Sequence, residues 1–524
     1  MLKNLSKQLF KIKDINSILS ESHDPSRRLK RALGAFDLIL LGIGAIIGAG
    51  IFATVGTAAA GDALRPGAGP ALILSFVITG IACGFAALCY AELAALVPIS
   101  GSAYTYTYAT FGELVAWIIG WDLLIEYGVG SIAVAISWSG YFVEFLRGFG
   151  LTLPAWSTID YRSAMHGFEK ASALLAGGMP IDQLEPVLQR TYAAVNTAPH
   201  ILGIPIICNI PASFIVLFLT VVLVIGIKES ARFNMIMVMI KLVVLGFFIV
   251  VGAHYVKPQN WVPFAPNGFA GIRAGAAIVF FAYIGFDCVS TVAEETRNPK
   301  RDMPIGIIGS LIICTIIYII VAAVFTGIVP FSMLKTSLAH QKAEPLAMAM
   351  QHINLNWAAG FVAFGSIIAH MAVLLVLMLG QARIFFSMSR DGLLPPVFSK
   401  VHHRFKTPYI NSIIIGLIAA LFAAATNIDE MVDLTNIGTL FAFTLVCFGV
   451  IILRVKEPLK PRTFKVPFNP ITPLLGVLAC IFLITGLPAI TWLRFILWLI
   501  IGLVVYFLYG IRHSLLHKKT RLTA

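Results

Sequence analysis

Twelve long apolar segments follow one another along the chain, and they constrain its fold more than any other feature. Inside a lipid bilayer every backbone amide and carbonyl must be satisfied within the protein, which restricts spanning segments to helices and closed barrels. Uncharged segments of about 18 residues or more are long enough to cross as helices. The sequence therefore predicts an all-α integral membrane protein with twelve transmembrane helices, at about 35–60, 70–97, 113–147, 209–227, 232–255, 270–293, 304–330, 356–388, 409–426, 432–454, 470–490 and 491–515.

The charged residues support a membrane protein and indicate its orientation. They make up only 12% of the chain, about half the share that is typical of soluble proteins. Most of the 38 Lys and Arg residues fall in segments that are cytoplasmic if the N-terminus is cytoplasmic, as the positive-inside rule requires. We interpret the basic clusters at 27–31, 454–465 and 517–521 as topology determinants beside anionic lipid, not as a nucleic-acid site.

The same pattern divides the chain into regions. Residues 1–34 are predicted to form a cytoplasmic N-terminal segment, and 35–454 a ten-helix transport core with a long external loop at 148–208. Two accessory transmembrane helices are predicted at 455–515, followed by a cytoplasmic tail at 516–524. The Lys and Arg asymmetry places both termini in the cytoplasm. The Asn-x-Ser site at Asn4 then lies on the cytoplasmic side, so external glycosylation is not expected, which favours a bacterial inner membrane.

Two of the predicted spans contain a break. Span 1 carries four glycines within residues 42–50, each costing about 1 kcal/mol in a helix relative to alanine. Span 6 has a similar interruption near Gly285. An opened turn at membrane depth survives only where it is buried in protein or lines a cavity. Because five spans separate them, the two broken helices run in opposite directions, which predicts an inverted repeat of spans 1–5 against spans 6–10.

Broken helices expose backbone groups that can bind a zwitterion. The amides of Gly48, Ala49 and Gly50 would begin the second half of span 1 and suit a carboxylate. Carbonyls around Phe281, Ala282 and Ile284 would be free to accept from an ammonium group. Glycines in membrane helices also serve close helix packing, so a structural role for the run in span 1 remains the alternative.

Lys241 is the most unusual single residue, because it lies deep within the apolar span 5. An intramembrane ionisable group is by default a candidate functional site. Protonated, Lys241 could donate to carbonyls freed by the break in span 1, and deprotonated it would release them. The alternative is a permanent salt bridge to Glu126 or Asp287, which are otherwise candidate counter-charges or side-chain selectors. His370 in span 8 is either a hydrogen-bonded packing residue or a proton carrier.

The sequence also predicts what the chain lacks and how its longer connections fold. It contains no GxSxG, HExxH or P-loop motif, so no enzyme activity, cofactor or ATP-binding domain is expected. The seven cysteines have no metal spacing, and neither do His166, Glu169 and Asp182 of the external loop. We expect this loop to cover the bundle.

Residues 98–112 are predicted to form an amphipathic interfacial helix. Charges at Glu92, Glu294, Glu295 and Arg297 are either ion-paired gates or plain interfacial charges.

These motifs together resemble the amino acid–polyamine–organocation superfamily, and within it the cationic amino acid transporter branch in its bacterial form. The matching segments cover nearly the whole chain outside 148–208 and lie at 42–52, 90–104, 281–287, 294–299, 383–395 and 431–440. The resemblance implies a LeuT-type fold that carries L-amino acids by alternating access.

It also implies roles for individual residues. Substrate would be met from span 1 by Ile46, Ala49 and Gly50. From span 6 it would be met by Phe281, Ala282 and Ile284, with Phe281 as an aromatic gate. Lys241 matches the lysine that replaces a sodium site in proton-coupled relatives.

Where sodium-coupled members carry hydroxyl ligands in span 8, this chain has Met371 and Ala372, which argues against sodium. Glu126 could attract a cationic side chain, whereas Met371 would narrow the pocket towards small neutral ones. The resulting expectation is a proton-coupled importer of neutral or cationic L-amino acids. The alternatives are a proton-independent exchanger and a non-transporting sensor or channel on the same fold. Expected partners are the amino acid, the proton and the lipid bilayer; the sequence identifies no small membrane subunit.

Overall fold

A bundle of helices makes up most of the protein. The computed structural model describes residues 9–13, 33–99, 102–201, 203–225, 230–337, 344–403, 405 and 407–516. The α-helices are, in chain order, α1 Ala35–Ile46, α2 Val55–Ala60, α3 Leu72–Leu96, α4 Ser102–Thr110, α5 Glu113–Leu124, α6 Gly130–Gly148, α7 Tyr161–Ala176, α8 Pro186–Thr197, α9 Ile210–Ile225, α10 Ser230–Ala253, α11 Gly268–Val279, α12 Pro299–Ile328, α13 Phe331–Ser337, α14 Pro345–His352, α15 Asn356–Arg390, α16 Tyr409–Ala425, α17 Ile428–Lys456, α18 Ile471–Ile484, α19 Ala489–Val505 and α20 Ile511–His513.

The helix lengths agree with a protein that crosses a membrane many times. Within the described residues, 9 helical segments are long and apolar enough to span a bilayer. Three shorter apolar helices, α9, α16 and α18, lie where spans 4, 9 and 11 are predicted. The all-α architecture is thus confirmed, while the count of twelve spans stays a prediction.

Both predicted breaks are present. In span 1, α1 ends at Ile46, Ile47 is extended, and a π-helical segment, Gly50–Thr54, leads into α2. In span 6, α11 is followed by the 3₁₀ turn Phe280–Tyr283, an extended Ile284, and a second 3₁₀ segment, Asp287–Glu295. Long helices tolerate such interruptions where other protein groups satisfy the freed backbone.

Gly285 makes the second break possible. Its φ of +117° is a conformation that L side chains rarely adopt. A Cβ atom at this position would also lie 2.8 Å from the Ala45 carbonyl group. The break in span 6 therefore needs glycine both for its backbone angle and for its approach to α1.

Helix α4 differs from the amphipathic interfacial helix that its Tyr-Thr alternation predicts. The helix is present at Ser102–Thr110, but every residue in it is buried. It packs between the start of α5, the second half of span 6 and α17. Two of its three tyrosine hydroxyls find partners inside the protein instead: Tyr104 donates to Asp391 at 2.7 Å and Tyr108 to Glu113 at 2.8 Å.

The loop at 148–208 folds as a small unit on one end of the bundle. It contains α7, α8 and a two-stranded antiparallel hairpin, β1 His200–Ile201 with β2 Ile204–Pro205. Helices α7 and α8 pack on one another through a few buried apolar residues of their own. Arg162 pairs with Glu430 at 2.8 Å, which connects the loop to α17.

Candidate functional site

The Lys241 side chain is hydrogen-bonded to the end of α1, the first half of span 1. It is fully buried in α10, and its Nζ donates to the carbonyls of Gly44 at 2.7 Å and Ile47 at 2.8 Å. The Gly44 carbonyl lies in the last turn of α1 and the Ile47 carbonyl directly after it, where no further helical turn follows to satisfy them. The amine thus takes the place of the backbone donors that the break removes.

Lys241 does not form the salt bridge considered as its alternative role. Among the described residues its hydrogen bonds go to backbone carbonyls, and neither Glu126 nor Asp287 pairs with it. The amine is therefore a buried cation or neutral donor placed against the negative end of a helix dipole.

Two tyrosines complete the support of the first break. The Tyr318 hydroxyl, from α12, lies 3.0 Å from the Ile46 carbonyl and 2.8 Å from the Ala282 carbonyl, so it bridges the breaks of spans 1 and 6. The Tyr141 hydroxyl donates to the Phe52 carbonyl at 2.5 Å. Neither residue was identified from the sequence. The available signal was a tyrosine within an apolar helix, since a buried phenol needs a partner.

The two breaks face each other at close range. A Cβ atom built on Gly50 would lie 2.1 Å from the Ala282 Cα. The Ile46 carbonyl lies in the same region, because the Tyr318 hydroxyl contacts both this carbonyl and that of Ala282. The remaining predicted residues of the breaks, Ala49, Phe281 and Ile284, are all buried there.

Span 8 brings to the first break a residue that the sequence analysis does not name. The atoms nearest to a Cβ built on Gly48 belong to Val373 of α15, the closest at 2.6 Å. Met371 is only partly buried and packs at the margin of the core, whereas Ala372 is buried. Met371 as a pocket-narrowing residue therefore stays a prediction, and Val373 joins the candidates.

Three carboxyl groups lie in one region: Asp287 at the second break, Glu126 close to Asp287, and Asp122 close to Glu126. Glu126 belongs to the π-helical turn Ile125–Val129 between α5 and α6, and neither of its oxygens has a hydrogen-bond partner among the described residues. The same holds for Asp122. Asp287 accepts from the Tyr127 hydroxyl at 2.9 Å and the Gly285 amide at 3.3 Å. Buried ionised carboxylates without partners cost several kcal/mol each, so this region suits a cationic or proton-donating group.

His370 has a partner at each ring nitrogen. Its Nδ1 lies 2.6 Å from the Ser366 carbonyl and its Nε2 2.7 Å from the Ser137 hydroxyl. A carbonyl only accepts, so Nδ1 carries the proton and Nε2 accepts from Ser137. The arrangement fits a hydrogen-bonded packing residue, and it also leaves an imidazole with one basic nitrogen.

Ion pairs connect spans at both ends of the bundle. At one end Arg65 contacts Asp62 and Asp433, each at 2.7 Å. A small cavity beside this cluster is lined by residues of spans 1, 6 and 10, among them Thr54, Thr57, Ile278, Asp429 and Asp433.

At the other end Arg454 binds Glu92 at 2.5 Å, and Arg383 lies 3.5 Å from Glu295. Among the described residues, no group of three or more His, Cys, Asp or Glu side chains is arranged to hold a metal ion.

Comparison with known proteins gives one consistent result. The family model for amino acid permeases matches residues 33–510. The branched-chain amino acid permease BcaP of Bacillus subtilis is 46% identical over 511 residues, covering 97% of this chain and 99% of that protein. The methylthioribose transporter of the same organism is 43% identical, with 97% and 99% covered. A vacuolar cationic amino acid transporter of Arabidopsis thaliana is 36% identical, with 86% and 68% covered.

These relatives are named as permeases and transporters, so the chain is a multi-pass transport protein of the membrane and not an enzyme. The helical segments that are long and apolar enough to span a bilayer and the match over nearly the whole length agree with this. The chain belongs to the amino acid permease family of the amino acid–polyamine–organocation superfamily.

Proposed function

We propose that the protein imports L-amino acids together with protons by alternating access. The observation that carries the proposal is the Lys241 amine at 2.7 and 2.8 Å from the Gly44 and Ile47 carbonyls. An ammonium donates charge-assisted hydrogen bonds about twice as strong as those of a neutral donor. Loss of the proton therefore weakens the hold on α1, and the first half of span 1 is freed to move.

The paired breaks supply the binding site for the backbone of the substrate. Amides at Gly48, Ala49 and Gly50 receive the carboxylate, and carbonyls at Phe281, Ala282 and Ile284 receive the amine. The contact between Gly50 and Ala282 supports this assignment, because it brings the two breaks to one place. Fixed backbone groups of both polarities select a zwitterion.

The side-chain pocket is proposed to lie toward Glu126. Its carboxyl group, which has no hydrogen-bond partner among the residues that the structure describes and has Asp122 and Asp287 nearby, suits a cationic substrate. The name of the BcaP relative instead indicates branched-chain substrates. Both classes stay open. A competition panel of twenty amino acids and methylthioribose against one labelled substrate would rank them.

The proposed transport cycle uses the topology predicted from the sequence. Twelve spans place both termini in the cytoplasm of a bacterial inner membrane, with spans 1–5 and 6–10 as inverted repeats and the last two spans outside them. The Arg65–Asp433 pair then lies on the outer side and the Arg454–Glu92 pair on the inner side. Alternating access requires contacts of this kind to break in turn.

The test uses purified protein in liposomes with and without an imposed pH gradient. We expect substrate to accumulate only when the gradient is present. We also expect the Lys241→Met substitution to reduce this gradient-driven uptake at least tenfold. Lys257→Met, which removes an exposed lysine close to the end of the same helix, is the matched control and should behave as wild type. Accumulation that ignores the gradient in both proteins would indicate an exchanger, and equilibration without accumulation a channel.

A further inference from the structure

The N-terminal segment 9–13 lies along the connection between α4 and α5. The Lys13 amide donates to the Tyr108 carbonyl of α4 at 3.2 Å. The amide of Glu113, the first residue of α5, donates to the Lys11 carbonyl at 3.1 Å. Backbone hydrogen bonds thus fasten the segment to the end of one helix and the start of the next.

The connection accommodates this segment because Gly112 has no side chain. A Cβ atom built on Gly112 would lie 2.5 Å from the carbonyl carbon of Phe10. Its φ of +99° is also a conformation that favours glycine. The close approach of the two backbones therefore depends on this residue.

One ion pair connects the segment with α15. The Lys13 Nζ lies 3.1 Å from one carboxylate oxygen of Asp391, the residue directly after α15. The Tyr104 hydroxyl of α4 donates to the other oxygen at 2.7 Å. The lysine and aspartate side chains remain 15% and 19% exposed. A partly exposed ion pair adds little net stability and is screened by salt, so this contact can break and re-form readily.

Residues 513–516 cover the N-terminal segment from the other side. The Lys11 Nζ donates to the Leu516 carbonyl at 3.3 Å. The Leu515 amide donates to the Asp391 carbonyl at 3.0 Å. The two segments therefore contact each other and share α15 as a support.

Glu113 fastens the C-terminal side of this arrangement in the interior. The residue is fully buried. Its carboxyl group accepts from the Tyr108 hydroxyl at 2.8 Å, from the Tyr506 hydroxyl at 3.0 Å and from the Ser514 hydroxyl. Three donors satisfy a buried carboxyl group of this kind. This part of the contact is sheltered from water, in contrast to the ion pair.

Helix α4 lies at the end of the bundle that is cytoplasmic in the proposed topology. Lys456 follows Arg454 of the inner ion pair by two residues, and its Nζ donates to the Thr110 carbonyl at 3.2 Å. Thr110 is the last residue of α4. The N-terminal segment therefore docks on the inner side.

Helix α4 also lies between these segments and the second break. Its Tyr106 ring centroid is 6.3 Å from that of Tyr90, and Tyr90 is 5.8 Å from Phe286, the residue after Gly285. The hydroxyls of Tyr90 and Tyr106 are buried without a hydrogen-bond partner among the described residues. Water normally satisfies buried polar groups that lack a protein partner. This layer thus suits a path that water enters when the inner side opens.

We propose that segments 9–13 and 513–516 form a latch that holds α4 closed across the inner side of the transport path. The Lys13–Asp391 pair is the contact that releases it. The latch rests on the alternating access proposed above and does not depend on proton coupling. Opening of the inner side then requires the pair to break once in each cycle, which frees α4 to move away from the second break.

The first test measures how readily the inner side opens. A Ser290→Cys reporter places a thiol in the second half of span 6, where Ser290 is fully buried. Inside-out membrane vesicles are treated with a membrane-impermeant maleimide, and the label at this position is quantified by mass spectrometry. Lys13→Gln and Asp391→Asn should each raise the labelling rate several-fold. Lys465→Gln, which removes an exposed lysine at the same end of the bundle, should leave it unchanged.

Exchange of the two charges separates the ion pair from the packing around it. Lys13→Asp combined with Asp391→Lys re-forms the pair in the opposite order. The labelling rate should then return close to that of the reporter alone. A loss of packing at either position would not be repaired by the second substitution.

The second test holds the latch shut. Lys13→Cys and Asp391→Cys are bridged by a bifunctional methanethiosulfonate, a link that dithiothreitol cleaves. The purified protein in liposomes should lose at least tenfold of both uptake and substrate counterflow when bridged, and regain both after reduction. Recovery shows that the protein stays folded throughout. Lys13→Cys alone, treated in the same way, is the control.

The outcomes separate the latch from the transport proposal. If the bridged protein transports as well as the reduced one, the latch does not open during transport and the inference is wrong. If neither Lys13→Gln nor Asp391→Asn changes the labelling rate, the pair does not hold α4 closed, which also overturns it. In both cases alternating access stands. If wild type shows neither uptake nor counterflow, the proposed transport fails, and the latch fails with it.

Discussion

The two broken helices are interrupted in different ways. In span 1 no residue of the break needs a left-handed backbone, and the freed carbonyls are satisfied by side chains from other helices: Lys241, Tyr318 and Tyr141. In span 6 the backbone conformation sets the break, through the φ of +117° at Gly285 and the 3₁₀ segments around it, and the Tyr318 hydroxyl contacts the Ala282 carbonyl there as well.

This difference assigns distinct tasks to the two breaks. A break held by a lysine amine depends on protonation, so its free energy can change during a transport cycle. A break fixed by a glycine conformation depends less on pH, since a backbone angle does not titrate; the titratable group that contacts it is Asp287, which accepts from the Gly285 amide at 3.3 Å. We infer that span 1 is the part that moves with the proton, while span 6 supplies a constant half of the site.

The largest expected effect comes from the contact that both breaks share. Gly50→Val places a side chain where a Cβ atom alone lies 2.1 Å from the Ala282 Cα, so the breaks must separate. We expect uptake and substrate binding to fall below detection. Gly246→Ala is the matched control, because a Cβ there meets nothing within 4 Å. Normal uptake by Gly50→Val would show that the breaks need not touch.

A smaller but pH-independent loss is expected from Gly285→Ala. The left-handed φ and the 2.8 Å approach to Ala45 strain any side chain here, at a cost of about 1–3 kcal/mol for the backbone alone. Uptake should fall about tenfold by the same factor at every pH, and the melting temperature of the purified protein should drop. A loss that grows or shrinks with pH would contradict the constant role given to span 6.

Much of this architecture follows from the sequence because it depends on local composition. The apolar segments, the glycine-rich breaks and the intramembrane Lys241 are visible without a structure. Residues that act across helices are not: Tyr318 supports the breaks only because α12 packs against α1. Likewise Val373 contacts Gly48 while Met371 does not approach it as closely. Two positions along a helix differ by about 200° around its axis, and only packing fixes that rotation.

The smallest of these effects tests the residue that joins the two breaks. Tyr318→Phe removes the hydroxyl between the Ile46 and Ala282 carbonyls and leaves the ring in place. A buried acceptor without its donor costs about 1–3 kcal/mol, so a lower melting temperature and a several-fold loss of uptake are expected. Tyr255→Phe, at an exposed tyrosine, is the matched control.

The pH profile of Tyr318→Phe is the informative measurement. The Tyr318 hydroxyl stays protonated in the physiological range, so its loss should lower uptake equally at all pH values. Lys241→Met should instead flatten the response to the gradient. If Tyr318→Phe flattens it too, the hydroxyl transmits the protonation of Lys241 from span 1 to span 6, and the two breaks move as one unit.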